Sequence, residues 1–235
     1  FNDVFPKVTP GAKGAWEVVD CHPDNRIPSP LKMNLIPNSN EVLVISKIGE
    51  VWRMDLETKE QEMILDLKDR VAMLGDAGIY GSAIHPRFDE GPEFQYVFFY
   101  YRSHPENEDW HWEGVNRLSK FFWPDKEGPI DRSSEEILFQ QFDRSNWHSG
   151  GGLFFGNDTM LYLTVGDEGR DKEEDLELST QTLSGGMFSG ILRIDVDNVE
   201  TRSHPIRRQP LPLAPIPDEW ARTYSQGYSI PADNP

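Results

Sequence analysis

A histidine and a carboxylate occupy matching positions on the two arms of a hairpin that the sequence predicts. Two apolar stretches flank the turn-forming run Gly156–Thr159. With Asn157 and Asp158 as the central turn residues, His148 lies directly opposite Asp167, within cross-strand reach. A histidine bonded to a carboxylate is a suitable general base, because the carboxylate fixes the tautomer and stabilises the imidazolium. On spacing alone, a histidine that caps a strand end remains the simpler interpretation.

Three consecutive glycines stand next to this histidine. Gly150, Gly151 and Gly152 would let another backbone or a flat ligand approach closely. A one-residue bulge among them would turn His148 to the other face of the hairpin and would separate it from Asp167. The predicted contact therefore depends on the register of this hairpin.

The elements around the hairpin repeat. Each repeat has two short apolar strands and a third strand that carries a basic residue among apolar ones. The predicted strands span 31–36, 42–45 and 51–56, then 79–84, 96–101 and 118–123, then 152–155, 160–165 and 191–196. Fourth strands are predicted at 63–65 and 137–139. The third-strand basic residues Arg53, Lys120 and Arg193 recur at intervals of about 70 residues, which is the length of a large blade. Short runs rich in Val, Ile, Phe, Tyr and Trp, bounded by Gly, Pro and Asn, are typical of strands.

This pattern predicts an all-β protein, a β-propeller of four-stranded antiparallel blades, with about three blades present. Residues 1–30 form an N-terminal segment, and residues 31–235 form the partial propeller. A proline-rich loop insertion spans about 199–228, because proline donates no ladder hydrogen bond and such a stretch cannot be a central strand. Each blade of a ring buries both faces against its neighbours, so three blades leave an open face at each end of the arc. The remainder of a propeller or a larger assembly is therefore the expected partner.

Composition excludes several classes of partner. The net charge is −17 and the pI is about 4.7. Such a surface repels nucleic-acid phosphates and anionic lipid. The apolar run 96–101 is far shorter than the roughly 20 residues that a membrane span needs, so neither nucleic-acid binding nor membrane insertion is expected. The chain begins with Phe1 rather than Met, so a leader could already have been removed.

Five ordered motifs resemble the N-terminal half of the glucose/sorbosone dehydrogenase family. They are Trp147-His-Ser-Gly-Gly-Gly-Leu-Phe-Phe-Gly156, Leu161-Tyr-Leu-Thr-Val-Gly-Asp-Glu-Gly169, Gly78-Ile-Tyr-Gly-Ser-Ala-Ile-His-Pro-Arg-Phe88, Ser189-Gly-Ile-Leu-Arg-Ile-Asp-Val-Asp197 and Ser229-Ile-Pro-Ala-Asp-Asn-Pro235. The pair formed by the first two is the most specific, since it has the form of a histidine, a glycine-rich turn and a strand that ends in Gly-Asp-x-Gly. The resemblance covers roughly residues 31–235.

The resemblance implies a six-bladed propeller that binds pyrroloquinoline quinone (PQQ), with calcium, in a polar central cleft. It implies oxidation of the anomeric carbon of an aldose sugar, with hydride transfer to the quinone and a periplasmic or secreted location. By motif position, His148 matches the general base and Asp167 matches its carboxylate partner. Arg170 follows the Gly-Asp-x-Gly turn, where the family lines the cleft, although a solvated loop arginine is an equal alternative. Asp76 stands where quinone-binding members often carry glutamine, and it is the second candidate cofactor contact.

The sequence departs from the family at several positions. Asp76 replaces the glutamine, Trp147 stands where an acidic residue can precede the histidine, and Ser189-Gly190 replaces a Gly-Lys pair. The family's cofactor-binding arginine and calcium-binding backbone belong to its second half. This chain by itself is therefore expected not to bind the cofactor, and no metal ligand is assigned. The rival interpretation is a non-catalytic propeller of the same lineage that has lost the cofactor, serving as a binding module, as in hedgehog-interacting proteins, or as a structural subunit.

Overall fold

A computed structural model describes residues 22, 24, 26–103, 114–169, 187–205 and 227–234. Short apolar runs separated by turns fold into antiparallel blades. The strands of the first blade are β1 (Pro30–Leu35), β2 (Glu41–Ser46), β3 (Glu50–Asp55) and β4 (Gln61–Asp66). The strands of the second blade are β5 (Ile79–Ile84), β6 (Tyr96–Ser103), β7 (Gly114–Phe122) and β8 (Glu136–Asp143). Short 3-10 turns at Pro92–Phe94 and Arg132–Ser134 complete the loops of the second blade.

The third blade is built from separated segments. Its sheet contains β9 (Gly150–Phe155), β10 (Leu161–Val165) and β11 (Ile191–Ile194). A bridge from Asp195 to Ser229 places β13 (Ile230–Pro231) beside the end of β11, and β13 pairs with β12 (Ser203–His204). The fold is therefore the predicted all-β propeller of four-stranded antiparallel blades.

Two predicted strand limits were wrong in the second blade. β7 begins at Gly114 rather than at residue 118, and β8 extends to Asp143 rather than ending at residue 139. The early part of β7 contains Asn116 and Arg117, whose polarity is atypical of a strand. Asn116 is nevertheless fully buried, because polar partners from the neighbouring strands satisfy it. In the third blade, β12 lies inside the segment 199–228 that was predicted as a loop.

The repeated basic residue of the third strand has the same role in each blade. Arg53 bonds Glu62 at 2.8 Å, Lys120 pairs with Glu136 at 2.9 Å, and Arg193 pairs with Asp158 at 2.9 Å. Each pair links the third strand to an adjacent strand or turn of its own blade. The repeat thus reflects a recurring surface contact rather than a site.

The second blade is buried on both sides, and β6 shows this most clearly. Its side chains alternate between two hydrophobic clusters. Val97, Phe99 and Tyr101 pack with the first blade, whereas Phe98 and Tyr100 pack with the third. A strand with two buried faces reads as an uninterrupted apolar run, which explains the sequence of residues 96–101.

The outer faces of the first and third blades carry exposed apolar side chains. Alternate β1 residues point away from the second blade, and Leu31, Met33 and Leu35 are 52, 63 and 72% exposed. On the third blade, Phe154 and Ile191 are 49 and 68% exposed. Apolar side chains clustered on one face favour association.

Residues 1–235 expressed alone are therefore expected to self-associate, measured by analytical ultracentrifugation. The double substitution Met33→Ser and Leu35→Ser should weaken association by removing apolar area from the outer face of the first blade. The matched control is Leu56→Ser with Met73→Ser, which removes apolar side chains that are also exposed, elsewhere on the surface. A monodisperse monomer with a cooperative melt would contradict this prediction.

Among the described residues, no helix has the length and apolar character that crossing a membrane requires.

Candidate active site

The predicted pair of His148 and Asp167 forms. Nδ1 of His148 lies 2.9 Å from Oδ1 of Asp167, and the same oxygen accepts a hydrogen bond from the Gly169 N–H at 3.0 Å. The Gly169 N–H and then the His148 ring hold the pKa of Asp167 below its ordinary value. An ionised carboxylate requires the proton to be on Nδ1 of a neutral His148, so Nε2 keeps its lone pair. The His148 side chain is 63% exposed and is therefore open to a ligand.

The hairpin register that produces this pair differs from the predicted one. The turn centres on Asn157 and Asp158, as expected, and the Thr159 N–H closes it on the Gly156 carbonyl at 2.9 Å. Thr159, however, adopts a left-handed backbone with φ of 62°, so that the loop contains three residues rather than two. The prediction that a regular two-residue hairpin turn places His148 opposite Asp167 was therefore wrong, although the two side chains do meet.

A bulge in β9 restores the alignment of His148 with Asp167 that the three-residue loop would otherwise shift by one residue. Leu163 pairs with Leu153, but Val165 pairs with Gly150, so β9 contains one extra residue between these pairs. A bulge was expected to turn His148 away from Asp167. That expectation was wrong because the extra loop residue at Thr159 had already shifted the register by one in the opposite sense.

The loop that carries Asp167 is anchored by its buried neighbour Glu168. The Glu168 carboxylate accepts hydrogen bonds from the Arg144 backbone N–H, Nε and Nη2 at 3.2, 3.1 and 2.6 Å. Glu168 is 1% exposed and has a left-handed backbone with φ of 65°. A three-point contact to a buried carboxylate fixes the loop in this conformation. It therefore helps to position Asp167 beside His148.

His148 lies on the wall of a cleft of about 640 Å³ that all three blades line. Its lining residues are Leu31, Lys32, Lys47, Asp76, Tyr80 and the segment from His148 to Gly152. Gly151, with φ of 119°, lies against β5 so closely that a Cβ atom there would meet the Tyr80 Cβ at 2.4 Å. The predicted close approach at these glycines therefore occurs, and the approaching backbone is β5. The volume is in the range of small-molecule sites.

The cleft lining includes two lysines, Lys32 and Lys47, that the sequence did not indicate as site residues. Lys32 Nζ donates to the carbonyl oxygens of Ser82, at 2.8 Å, and Leu153. Lys47 Nζ donates to the Gly75 carbonyl at 2.7 Å. Burial lowers the pKa of the Lys32 ammonium. The sequence did indicate where the Lys32 side chain lies. Lys32 alternates with the apolar residues of β1, so its side chain must lie on the opposite face of the strand from theirs.

The two predicted cofactor contacts have different outcomes. Asp76 lies in the cleft lining, and its backbone N–H donates to the Asn146 carbonyl at 3.2 Å. Arg170 lies outside the described residues. Within the described part of the chain, no group of three or more His, Cys, Asp or Glu side chains is arranged to hold a metal ion.

A buried polar layer supports the cleft wall behind Tyr80. The Tyr80 hydroxyl donates to Asn116 Oδ1 at 3.4 Å, and Asn116 Nδ2 donates to Asp143 at 2.5 Å. Arg102 lies 3.1 Å from the same carboxylate. Burial raises the pKa of Asp143 to about 6, and the Arg102 guanidinium opposes that rise. These satisfied contacts fix the position of Tyr80.

A second histidine–carboxylate pair is buried between two blades and stabilises the fold. His85 Nε2 lies 2.9 Å from Asp197 Oδ1, and His85 Nδ1 accepts from the Arg87 N–H at 3.2 Å. His85 is 2% exposed and stacks on Phe94. Because both ring nitrogens are occupied and buried, this pair joins the second and third blades. At the cleft, in contrast, no described residue bonds Nε2 of His148.

Residues 27–213 match the family described as glucose/sorbosone dehydrogenase. This region contains the first four of the five resembling motifs and all of the described cleft residues.

Solved structures with the same fold include two from named bacteria. The PQQ-bound form of aldose sugar dehydrogenase from Streptomyces coelicolor is 24% identical, with a TM-score of 0.53, over 71% of this chain and 44% of that one. A candidate glucose dehydrogenase from Thermus thermophilus is 23% identical, with a TM-score of 0.52, over 72% and 44%. A further structure described as glucose dehydrogenase is 15% identical, with a TM-score of 0.56. The chain spans about 44% of the length of these proteins.

Proposed function

Because the chain belongs to the glucose/sorbosone dehydrogenase family, we propose that its protein is a PQQ-dependent aldose dehydrogenase. The observation that carries the proposal is the hydrogen bond between His148 and the ionised Asp167 at the edge of a cleft. A fixed Nδ1–H tautomer leaves Nε2 basic, exposed and able to accept a proton. The solved neighbour in its PQQ-bound form supports the choice of cofactor.

The proposed reaction converts the anomeric carbon of an aldose into a lactone carbonyl. His148 Nε2 accepts the proton of the anomeric hydroxyl, and the neighbouring C–H bond loses a hydride. PQQ supplies the chemistry of hydride acceptance when it is bound. Asp167 stabilises the imidazolium that forms, and the Arg144–Glu168 contact keeps Asp167 in place.

The residues present fit a flat quinone on one side of the cleft. Gly150 and Gly152 are exposed in the cleft lining and present backbone without side chains, against which a planar ring can lie. The buried side-chain amide of Asn146, beside Asp76, has no hydrogen-bond partner among the described residues, which is typical of a place where a bound group or water is accommodated. We propose Asp76 and Arg170 as cofactor contacts, and calcium as the accompanying metal of the full-length protein.

A sugar is the proposed substrate, and a periplasmic or secreted location is part of the same proposal. Cell fractionation with an antibody to the protein tests the location, and a cytoplasmic signal alone would reject it. The alternative is a non-catalytic binding module or structural subunit. Trp147, which is 45% exposed beside His148 where relatives can carry an acidic residue, is the observation that favours it.

The test is reconstitution of the full-length protein. Cofactor-free protein mixed with PQQ and calcium is expected to reduce a dye in the presence of an aldose, and neither component alone should suffice. Residues 1–235 alone are expected to bind PQQ more weakly than micromolar in an absorbance titration. Full-length protein without sugar-dependent dye reduction would reject the enzyme, and micromolar binding by residues 1–235 would show that the cofactor site lies in this part of the chain.

A further inference from the structure

We propose that Lys32 and Lys47 form a carboxylate-binding subsite in the cleft. The inference deepens the proposed function, since it names the charge of the molecule that occupies the same cleft. It begins with the position of Lys32 at the point where the inner strands of three blades meet. From β1, its Nζ reaches the Ser82 carbonyl of β5 and the Leu153 carbonyl of β9.

Both lysines have only neutral partners among the described residues. The ammonium of Lys32 contacts two carbonyl oxygens, and that of Lys47 contacts one. Among the ion pairs of the described residues, none includes Lys32 or Lys47. Lys68, Lys120 and Lys126, in contrast, each contact a carboxylate.

The missing counter-ions of Lys32 and Lys47 do not follow from a shortage of carboxylates in the chain. With 40 acidic and 23 basic residues, carboxylates are abundant enough to pair with every lysine. Asp76 is in the same lining but forms no ion pair with either lysine. Within the described part of the chain, two cations without a protein counter-ion therefore face a cavity that can admit a ligand.

The chemistry of the ammonium group defines the ligand. An ammonium has three N–H donors, and Lys32 uses two of them on carbonyl oxygens. The third donor of Lys32 and two donors of Lys47 remain for a molecule in the cleft. A partly desolvated ammonium binds a carboxylate more strongly than a neutral hydroxyl. The carboxylate has two possible sources, which are a sugar acid as substrate or the carboxylates of the quinone.

The test is calorimetric titration of the cofactor-free, full-length protein with D-glucuronate, D-glucose and PQQ. Lys32→Gln retains an amide donor for one carbonyl but removes the charge. It is expected to weaken binding of the carboxylate ligand about 10-fold or more, the usual loss for a hydrogen bond to a charged group. Binding of D-glucose should not change. The matched control is Lys59→Gln, which removes the same charge from an exposed turn.

The outcomes separate the two sources. A loss confined to D-glucuronate assigns the subsite to the substrate, and a loss confined to PQQ assigns it to the cofactor. If Lys32→Gln fails to fold, Lys47→Gln replaces it, since Lys47 contributes nothing to the contacts of β1 with β5 and β9. Unchanged affinities for both carboxylate ligands, relative to Lys59→Gln, would overturn the proposal.

Failure of the subsite and failure of the proposed function are distinguishable. Calorimetry needs no turnover, so a protein that oxidises no sugar can still show the charge-dependent binding. An active dehydrogenase whose affinities do not respond to Lys32→Gln would reject the subsite alone.

Discussion

Replacing His148 with alanine in the full-length protein is expected to slow sugar oxidation about 10²–10⁴-fold, the contribution of a positioned general base. The substitution removes Nε2, the only atom of the His148–Asp167 pair that combines basicity with access to the cleft. Turnover is measured with saturating quinone and sugar, so that the loss appears in kcat rather than in cofactor affinity. Asp167→Asn should also slow turnover, because the amide no longer fixes the Nδ1–H tautomer.

Two further variants test whether the loss of turnover comes from the imidazole itself. His148 has a left-handed backbone with φ of 53°, which asparagine tolerates better than alanine, so His148→Asn should be equally inactive with less backbone strain. His204→Ala removes a histidine outside the cleft lining and should leave turnover unchanged. If His148→Ala and Asp167→Asn both oxidise sugar as fast as the wild type, the catalytic assignment is wrong and a binding module is the better interpretation.

Gly166→Ala is expected to reduce turnover about 100-fold without changing any side chain of the proposed mechanism. A Cβ atom at Gly166 would lie 1.4 Å from the His148 carbonyl oxygen, so the backbone of His148 must move. A displacement of roughly 1 Å in a catalytic group is sufficient for a loss of this size. The same overlap should cost about 1–3 kcal/mol of folding free energy, as overpacking typically does.

The matched control is Gly190→Ala, nearby in the same blade. Among the described residues, its Cβ would meet only the Phe188 carbonyl oxygen at 3.9 Å, which is an ordinary contact. Thermal melts and turnover of the two variants are compared in the full-length protein. Gly166→Ala with the turnover of Gly190→Ala would show that the position of the His148 backbone does not control the reaction.

The strands of the three blades could be predicted from the sequence because burial between neighbouring blades imposes apolar runs. The residues of β6 form such a run, and the structure places them in two clusters. The start of β7 could not be predicted in the same way. Asn116 is polar in the sequence, and its burial depends on Asp143, which is distant along the chain.

The candidate site was predictable where a local pattern specifies a contact. Turn residues and spacing located His148 and Asp167 on one hairpin. The hairpin register was not predictable, because the left-handed conformation of Thr159 leaves no compositional sign. Lys32 and the Arg144–Glu168 contact were missed because their partners come from other blades or from separate loops.

The two irregularities of the β9–β10 hairpin also constrain how this segment can change in evolution. The extra loop residue at Thr159 and the extra glycine in β9 each shift the register by one, and only together do they return His148 to Asp167. A relative that deletes one of them would lose the pair, whereas a relative that deletes both would keep it. Insertions and deletions on the two arms of this hairpin should therefore occur together, and an alignment that matches the arms separately would misplace the histidine.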